Sequence, residues 1–160
     1  MSTDDGGAED DLLLSEQACF ALYSASRAVT DVYRPLLAEL GLTYPQYLVL
    51  LTLWESEPRT VRDVGAALAL DYGTVSPLLK RLEGAGFVER RRAPHDERTV
   101  TVHLTDAGRD LRARVSHVPR TIGCALGLDD RARHELIVLL RTITASTVVY
   151  RGVDGASSAS

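Results

Sequence analysis

Residues 70–90 read L-D-Y-G-T-V-S-P-L-L-K-R-L-E-G-A-G-F-V-E-R, and residues 96–108 read D-E-R-T-V-T-V-H-L-T-D-A-G. In the first stretch Leu78, Leu79, Leu82 and Ala85 recur at helical spacing before Gly86, the pattern of a helix with one buried face. Two starts are open. With Asp71 as cap, Pro77 falls at the sixth helical position and costs a bond; with Gly73 or Thr74 it lies where donors are free anyway. The later start is the better expectation. In the second stretch Val100, Val102 and Leu104 alternate with Thr99, Thr101 and His103, and Phe87–Arg92 precedes them across A-P-H-D-E, which predicts a β-hairpin.

Upstream, Thr60 precedes V-R-D-V-G-A-A-L, a short helix with Val61, Val64 and Leu68 inward. Before it, Thr43 and Gln46 form a T-x-x-Q capping box that opens a helix through Leu48, Leu51 and Trp54 to Glu55, stopped by Pro58. Ser15 caps a first helix to about Leu40, kinked at Pro35, with Gly41 after it. Downstream, Thr105 caps a fifth helix to about Gly123, interrupted by Pro119, and Asp129 or Asp130 opens a last one carrying Leu136, Leu139, Leu140 and Ile143. The fold class is therefore mostly α with a small β-hairpin. Residues 1–14 and 151–160 read as flexible tails around a single domain over 15–150.

The 160 residues, 45% hydrophobic and 25% charged, are ordinary for one globular domain. No window is long and apolar enough for a membrane helix and the acidic start is unlike a signal peptide, so the expected location is cytoplasmic. Cys19 and Cys124 lie 105 positions apart without a Cys-x-x-Cys, and His95, His103, His117 and His134 lack metal spacing; neither a metal nor another cofactor is expected. The formal charge of −4 conceals a division. Residues 1–58 hold ten acids against two arginines, whereas residues 59–114 hold eleven bases against eight acids. A local basic face suffices to meet phosphates whatever the total charge.

Two short helices, a tight turn and a basic hairpin are the arrangement of a winged helix-turn-helix, whose second short helix enters the major groove. Arg62 would then reach the backbone from the first helix, with Thr74, Ser76, Lys80 and Arg81 on the second. The hairpin supplies Arg90, Arg91, Arg92 and Arg98. An arginine at such a tip fits a narrow minor groove, and Asp96 would orient Arg98.

From Leu42-Thr43 through the two quoted stretches, over roughly residues 15–148, the chain resembles the MarR family of bacterial regulators; the D-E-R tip followed by L-T-D-A-G is the specific signature. The resemblance implies a homodimer. Its helical dimerisation region would span 15–42 and 105–149, and its winged region 43–104 would read a palindromic double-stranded operator. A-C-F-A-L-Y-S-A-S-R at 18–27 further resembles the organic hydroperoxide sensors of that family, the OhrR type. Tyr23 and Tyr33 flank Cys19 by about 40° on either side of one helix face, yet fourteen residues put Tyr33 roughly 21 Å along the axis. Contact with Cys19 therefore requires the partner's helix, and the resemblance has the partner's Tyr33 and Tyr44 hydroxyls reaching it. Only the thiolate attacks a peroxide, and it is favoured near a helix N-terminus and by hydroxyl donors. Apolar Phe20 and Leu22 would favour an organic hydroperoxide, and the sulfenic acid formed would condense with a second thiol. By resemblance Cys124 is that resolving cysteine. The function so implied is a redox-sensing repressor that leaves its operator when Cys19 is oxidised. Two alternatives stand beside it: release by a small aromatic ligand, and a thiol peroxidase enzyme.

Overall fold

The computed structural model describes residues 12–93 and 96–157. Its contacts divide the chain into a unit ending at Ile122 and one beginning at Gly123. The hairpin tip at Pro94-His95, the first eleven residues and the last three lie outside the described residues, as do the side chains of Asp96 and Arg98.

In the first unit, α1 (Ala18–Ala38) follows a 3-10 turn at Leu14–Glu16. Ser15 is not its cap. The turn's bonds, Glu16 N–H to Leu13 O at 3.0 Å and Gln17 N–H to Leu14 O at 3.3 Å, enclose Ser15, so the helix begins after Gln17 and Cys19 is its second residue. The helix continues through Pro35 and closes at Gly41, where φ is 69° and Leu42 N–H reaches back to Leu37 O at 3.0 Å. The capping box then starts α2 (Tyr44–Glu55): Gln46 Oε1 accepts from the Thr43 N–H at 2.8 Å and from its hydroxyl at 3.0 Å. Tyr47, Val49, Leu50 and Leu53 on α2 are buried.

β1 (Arg59–Thr60) leads into α3 (Val61–Leu68), capped by Thr60, whose Oγ1 accepts from Asp63 N–H at 3.0 Å. The turn after α3 is tight because Leu70 N–H reaches Gly65 O at 2.9 Å. A Cβ on Gly65 would lie 2.8 Å from Leu70 O, so a larger residue would push the two short helices apart. α4 (Tyr72–Gly84) starts at the earlier of the two positions considered above, with Asp71 as cap. Asp71 Oδ1 accepts from Thr74 N–H at 2.8 Å and its Oδ2 from the Thr74 hydroxyl at 3.1 Å. Pro77 does not delay the start of the helix. Pro77 is exposed, so the Gly73 carbonyl it leaves without a helical donor faces water. Val75, Leu78, Leu79 and Leu82 are buried, whereas Ala85 is exposed.

β2 (Val88–Ala93) and β3 (Asp96–Leu104) form the expected hairpin, in register from Val88 opposite Leu104 to Arg92 opposite Val100. The sheet nevertheless has three strands in the order β1-β3-β2, because Arg59 and Thr60 pair with Val102 and Thr101. α5 (Asp106–Arg114) is capped by Thr105, and the helix expected to reach Gly123 breaks into α5 and α6 (Val118–Leu126). Pro119 explains the break: as the second residue of α6 it sits where no donor is required, while Ser116 and His117 bond back to Ala113 O and Arg114 O. The core gathers Leu50, Leu53, Val64, Leu79, Leu82, Val102, Leu111 and Val118.

The second unit carries α7 (Asp130–Ser157), where Asp129 Oδ1 accepts the Ala132 N–H at 2.8 Å. Its backbone is helical to Ser157, well into the segment read from sequence as a flexible tail. Leu136, Ile137, Leu139, Leu140 and Ile143 on this helix are exposed. No helix among the described residues is long and apolar enough to cross a membrane.

Candidate functional site

α3, α4 and the sheet enclose a groove of about 490 Å³, and three residues singled out from sequence, Arg62, Ser76 and Arg90, line it with Tyr72, Asp63 and Thr99. Its two walls differ in what they offer. Arg62 is exposed and has no ion pair among the described residues, as have Lys80 and Arg81. Arg90 is committed elsewhere: its Nε and Nη2 donate to Glu83 Oε2 at 3.0 and 2.6 Å, and its backbone N–H donates to Glu83 Oε1 at 3.1 Å. That bond holds the Glu83 carboxyl below its ordinary range and makes Arg90 a strut between α4 and β2. Arg91 is also paired, with Glu89 on the same strand. Thr74 is likewise held by the cap, since its hydroxyl and its N–H both go to Asp71, whose carboxyl those bonds lower.

With Val75, Leu78, Leu79 and Leu82 inward, the helical repeat turns Gly73, Pro77, Lys80 and Gly84 outward. That face is nearly free of bulk and carries one cation. Tyr72 lies on another side of the helix, the one it shares with Ser76 and Leu79 along the groove, and is 71% exposed. Sequence reading passed over it because an isolated tyrosine breaks no pattern.

The cysteines lie in different units and both are exposed. Among the described residues no hydrogen bond to Cys19 Sγ is formed within the chain. Tyr23, one turn on, accepts instead from Arg27 Nη1 at 2.9 Å, and the guanidinium also lies 5.6 Å from the ring centre. Tyr33 and Tyr44 do come together, with ring centres 4.4 Å apart; Tyr47 is 5.9 Å from Tyr33, and Trp54 6.3 Å from Tyr47. Burial, reinforced by the Tyr44 and Tyr47 hydroxyls, pushes the Tyr33 phenol up to about 12. No three His, Cys, Asp or Glu side chains among the described residues converge as a metal site would require.

At the far end of α2, Trp54 Nε1 donates to Gly108 O at 2.9 Å. Glu57 Oε2 accepts from the Leu104 N–H at 2.7 Å, and its Oε1 takes Arg109 Nε at 3.0 Å and Nη2 at 2.9 Å. This clamp joins the end of β3 and the start of α5 to the segment after α2. In the sequence Glu57 is one of ten acids before residue 59, with no local pattern to mark it. Beside it, a cavity of about 580 Å³ is lined by Tyr47, Leu51, Trp54, Arg112, Val115 and Pro119.

The family described as transcriptional regulator SarA/Rot matches residues 31–115. The HTH-type transcriptional regulator TtmR of Methylorubrum extorquens is 50% identical over 127 residues, covering 78% of this chain; the chain spans only 65% of that relative's length. The organic hydroperoxide resistance transcriptional regulator of Bacillus subtilis is 46% identical over 127 residues, covering 79% of this chain and 84% of the relative. Among solved structures, reduced AbfR of Staphylococcus epidermidis bound to DNA is 36% identical with a TM-score of 0.73, over 88% of this chain and 99% of AbfR. Its disulfide-formed state, at 34% identity over 89% of this chain and 94% of that one, scores 0.58.

Proposed function

We propose a redox-sensing repressor, from the premise that this chain belongs to the MarR-type transcriptional regulators of the SarA/Rot family, which bind DNA through a winged helix. In this reading a homodimer holds a palindromic operator in the cytoplasm and releases it when an organic hydroperoxide oxidises Cys19. The observation that carries the proposal is the place of Cys19: exposed, second in α1, in a chain 46% identical to a hydroperoxide resistance regulator.

The Cys19 thiolate attacks the terminal oxygen of R–O–O–H, the O–O bond breaks, and the sulfenic acid and an alcohol result after protonation of the leaving alkoxide. Condensation with the Cys124 thiol of the partner then forms a disulfide and expels water. Tyr33 and Tyr44 supply hydroxyl donors. A phenol pushed up to about 12 keeps its proton throughout the neutral range and remains a donor. Since Tyr33 lies along α1 from Cys19, it serves the cysteine of the other subunit, and Tyr23, already engaged by Arg27, lines the pocket. The exposed apolar residues of α7 are what a second copy would cover. Support for a change of shape comes from the relative, whose disulfide-formed state is less like this chain than its reduced, DNA-bound state. On the DNA side, Arg62, Lys80 and Arg81 meet the duplex, Ser76 lies in the groove, and Arg98, oriented by Asp96, enters the minor groove from the wing. Thr74 and Arg90 act through the cap and the strut.

Cys19→Ser should bind operator as wild type does and stay bound in cumene hydroperoxide; its release by peroxide would overturn the redox reading. On a non-reducing gel, peroxide-treated wild type should run as a covalent dimer and Cys124→Ser as a monomer. Free thiols on both cysteines after treatment would remove Cys124 from the mechanism. The cavity beside Trp54 supports a second reading, in which a small aromatic ligand takes its apolar wall while Arg112 meets an acidic group. Operator release from Cys19→Ser by such a ligand, with peroxide inert on wild type, would favour it.

A further inference from the structure

We propose that Tyr72 reads a thymine methyl group in the major groove, which makes it a specificity-determining residue. The inference rests on the DNA-binding reading and adds what the first turn of α4 recognises.

That turn holds four residues. Val75 is fully buried, Gly73 has no side chain, and Thr74 has given both its hydroxyl and its N–H to Asp71 at 3.1 and 2.8 Å. Only Tyr72 is left with a side chain to extend, and it is 71% exposed with no side-chain hydrogen bond among the described residues. The N-terminal residues of a recognition helix are the ones that meet base edges. Tyr72 shares its side of the helix with the small Ser76, and Arg62 stands across the groove that both line.

The choice of target follows from chemistry. A phenol placed against phosphate gains little where a guanidinium already lines the groove, and it would leave the ring in water. The major groove offers one apolar group, the thymine C5 methyl, absent from the other three bases. A flat ring at the leading end of the helix buries that methyl and loses its own exposure in the same contact.

The test uses the full chain and a duplex that the wild-type protein itself selects from a randomised pool. Each thymine is replaced in turn by uracil, which lacks only the methyl. At one position per half-site the wild type should bind about fourfold more weakly, the worth of one buried methyl group. Tyr72→Ala should bind the thymine duplex at least about fourfold more weakly and no longer distinguish thymine from uracil there. Tyr72→Phe keeps the ring and should retain the discrimination. A wild type indifferent to uracil at every position overturns the proposal, as does Tyr72→Ala that still discriminates, or Tyr72→Phe that behaves like Tyr72→Ala, which would mark a hydroxyl contact instead. Unchanged melting temperatures for both variants separate the contact from the fold. Selection that enriches no sequence would overturn operator reading itself, and this inference with it.

Discussion

Replacing Gly108 by alanine tests how tightly the wing is joined to the helix behind it. A Cβ at Gly108 would lie 2.0 Å from Phe87 O, 3.0 Å from Phe87 C and 3.2 Å from Leu104 Cδ2, where a carbon normally stands about 3.3 Å or more from a carbonyl oxygen. The opposing atoms are backbone, so no rotamer relieves the clash. Phe87 O already accepts the Thr105 N–H at 3.1 Å, and Gly108 O accepts from Trp54 at 2.9 Å. Whichever side yields over more than an ångström gives up one of these bonds. Overpacking costs about 1–3 kcal/mol and a lost bond about 1, offset by about 1 for alanine over glycine inside a helix. The net loss is about 1–3 kcal/mol, or roughly 2–12 °C for a chain of this length. Melting should be followed by circular dichroism at one fixed protein concentration, since an oligomer's midpoint moves with concentration. Gly84→Ala is the control, because nothing lies within 4 Å of its Cβ, and it should melt at or slightly above wild type. Gly108→Ala melting with wild type would refute the packing argument.

Glu57→Gln keeps an acceptor for the Leu104 N–H but surrenders the charge facing Arg109, so it should cost about 1 kcal/mol, and Glu57→Ala, which strands the N–H, about 2–3; equal melting curves for the two would refute the clamp. Lys80→Ala should weaken binding on all duplexes alike and lower the salt slope by about 1, whereas Arg90→Ala should lower the melting temperature through the lost strut to Glu83; the reverse pattern would exchange their roles. Burial raises the Tyr33 phenol from about 10 to about 12, so the folded state holds that proton more tightly than the unfolded one. Its contribution is whole below pH 10 and lost as pH climbs towards 12. Tyr33→Phe should flatten the decline of stability over that window, and a decline as steep as wild type's would refute the assignment.

The elements legible in the sequence are those fixed by a repeated pattern or a local cap. Thr43 with Gln46, Thr60 ahead of the Val61, Val64, Leu68 repeat, and the alternation through Val100, Val102 and Leu104 each express an interaction a few residues long, and each element stands where the pattern put it. The start of α4 differs from the expectation because Pro77 sits on an exposed turn where water meets the orphaned carbonyl, a setting the sequence does not display. β1 was missed because two residues carry no periodicity; Arg59 and Thr60 become a strand only through a partner more than forty positions on. The candidate site divides along the same line. Exposed cations such as Arg62 and Lys80 were recognisable by type. That Arg90 and Thr74 are committed to Glu83 and Asp71, and that Tyr72 is left alone, depends on rotamers and neighbours which no spacing encodes.

In the redox reading, the same non-local contacts explain how an event at the helical region reaches the wing. α2 carries Tyr44 and Tyr47 at one end and leads to Trp54 and Glu57 at the other, a span of about 18 Å for twelve residues at 1.5 Å each. Tyr47, Val49, Leu50 and Leu53 bury one side of it, so α2 moves as a rod or not at all. At its near end Tyr44 stacks on Tyr33 of α1; at its far end Trp54 holds Gly108 O and Glu57 holds the Leu104 N–H and Arg109. The far contacts grip the last residue of β3 and the first turn of α5, one root of the wing. A dense core does not absorb displacement by small uniform yielding. If disulfide formation pulls Tyr33 away from its place beside Tyr44, the rod must either stay and expose the covered ring of Tyr44, or follow and carry that root of the wing with it. Only the second outcome would change the spacing between two wings on one duplex, so in the redox reading the response would depend on the stiffness of α2 as much as on the chemistry of Cys19.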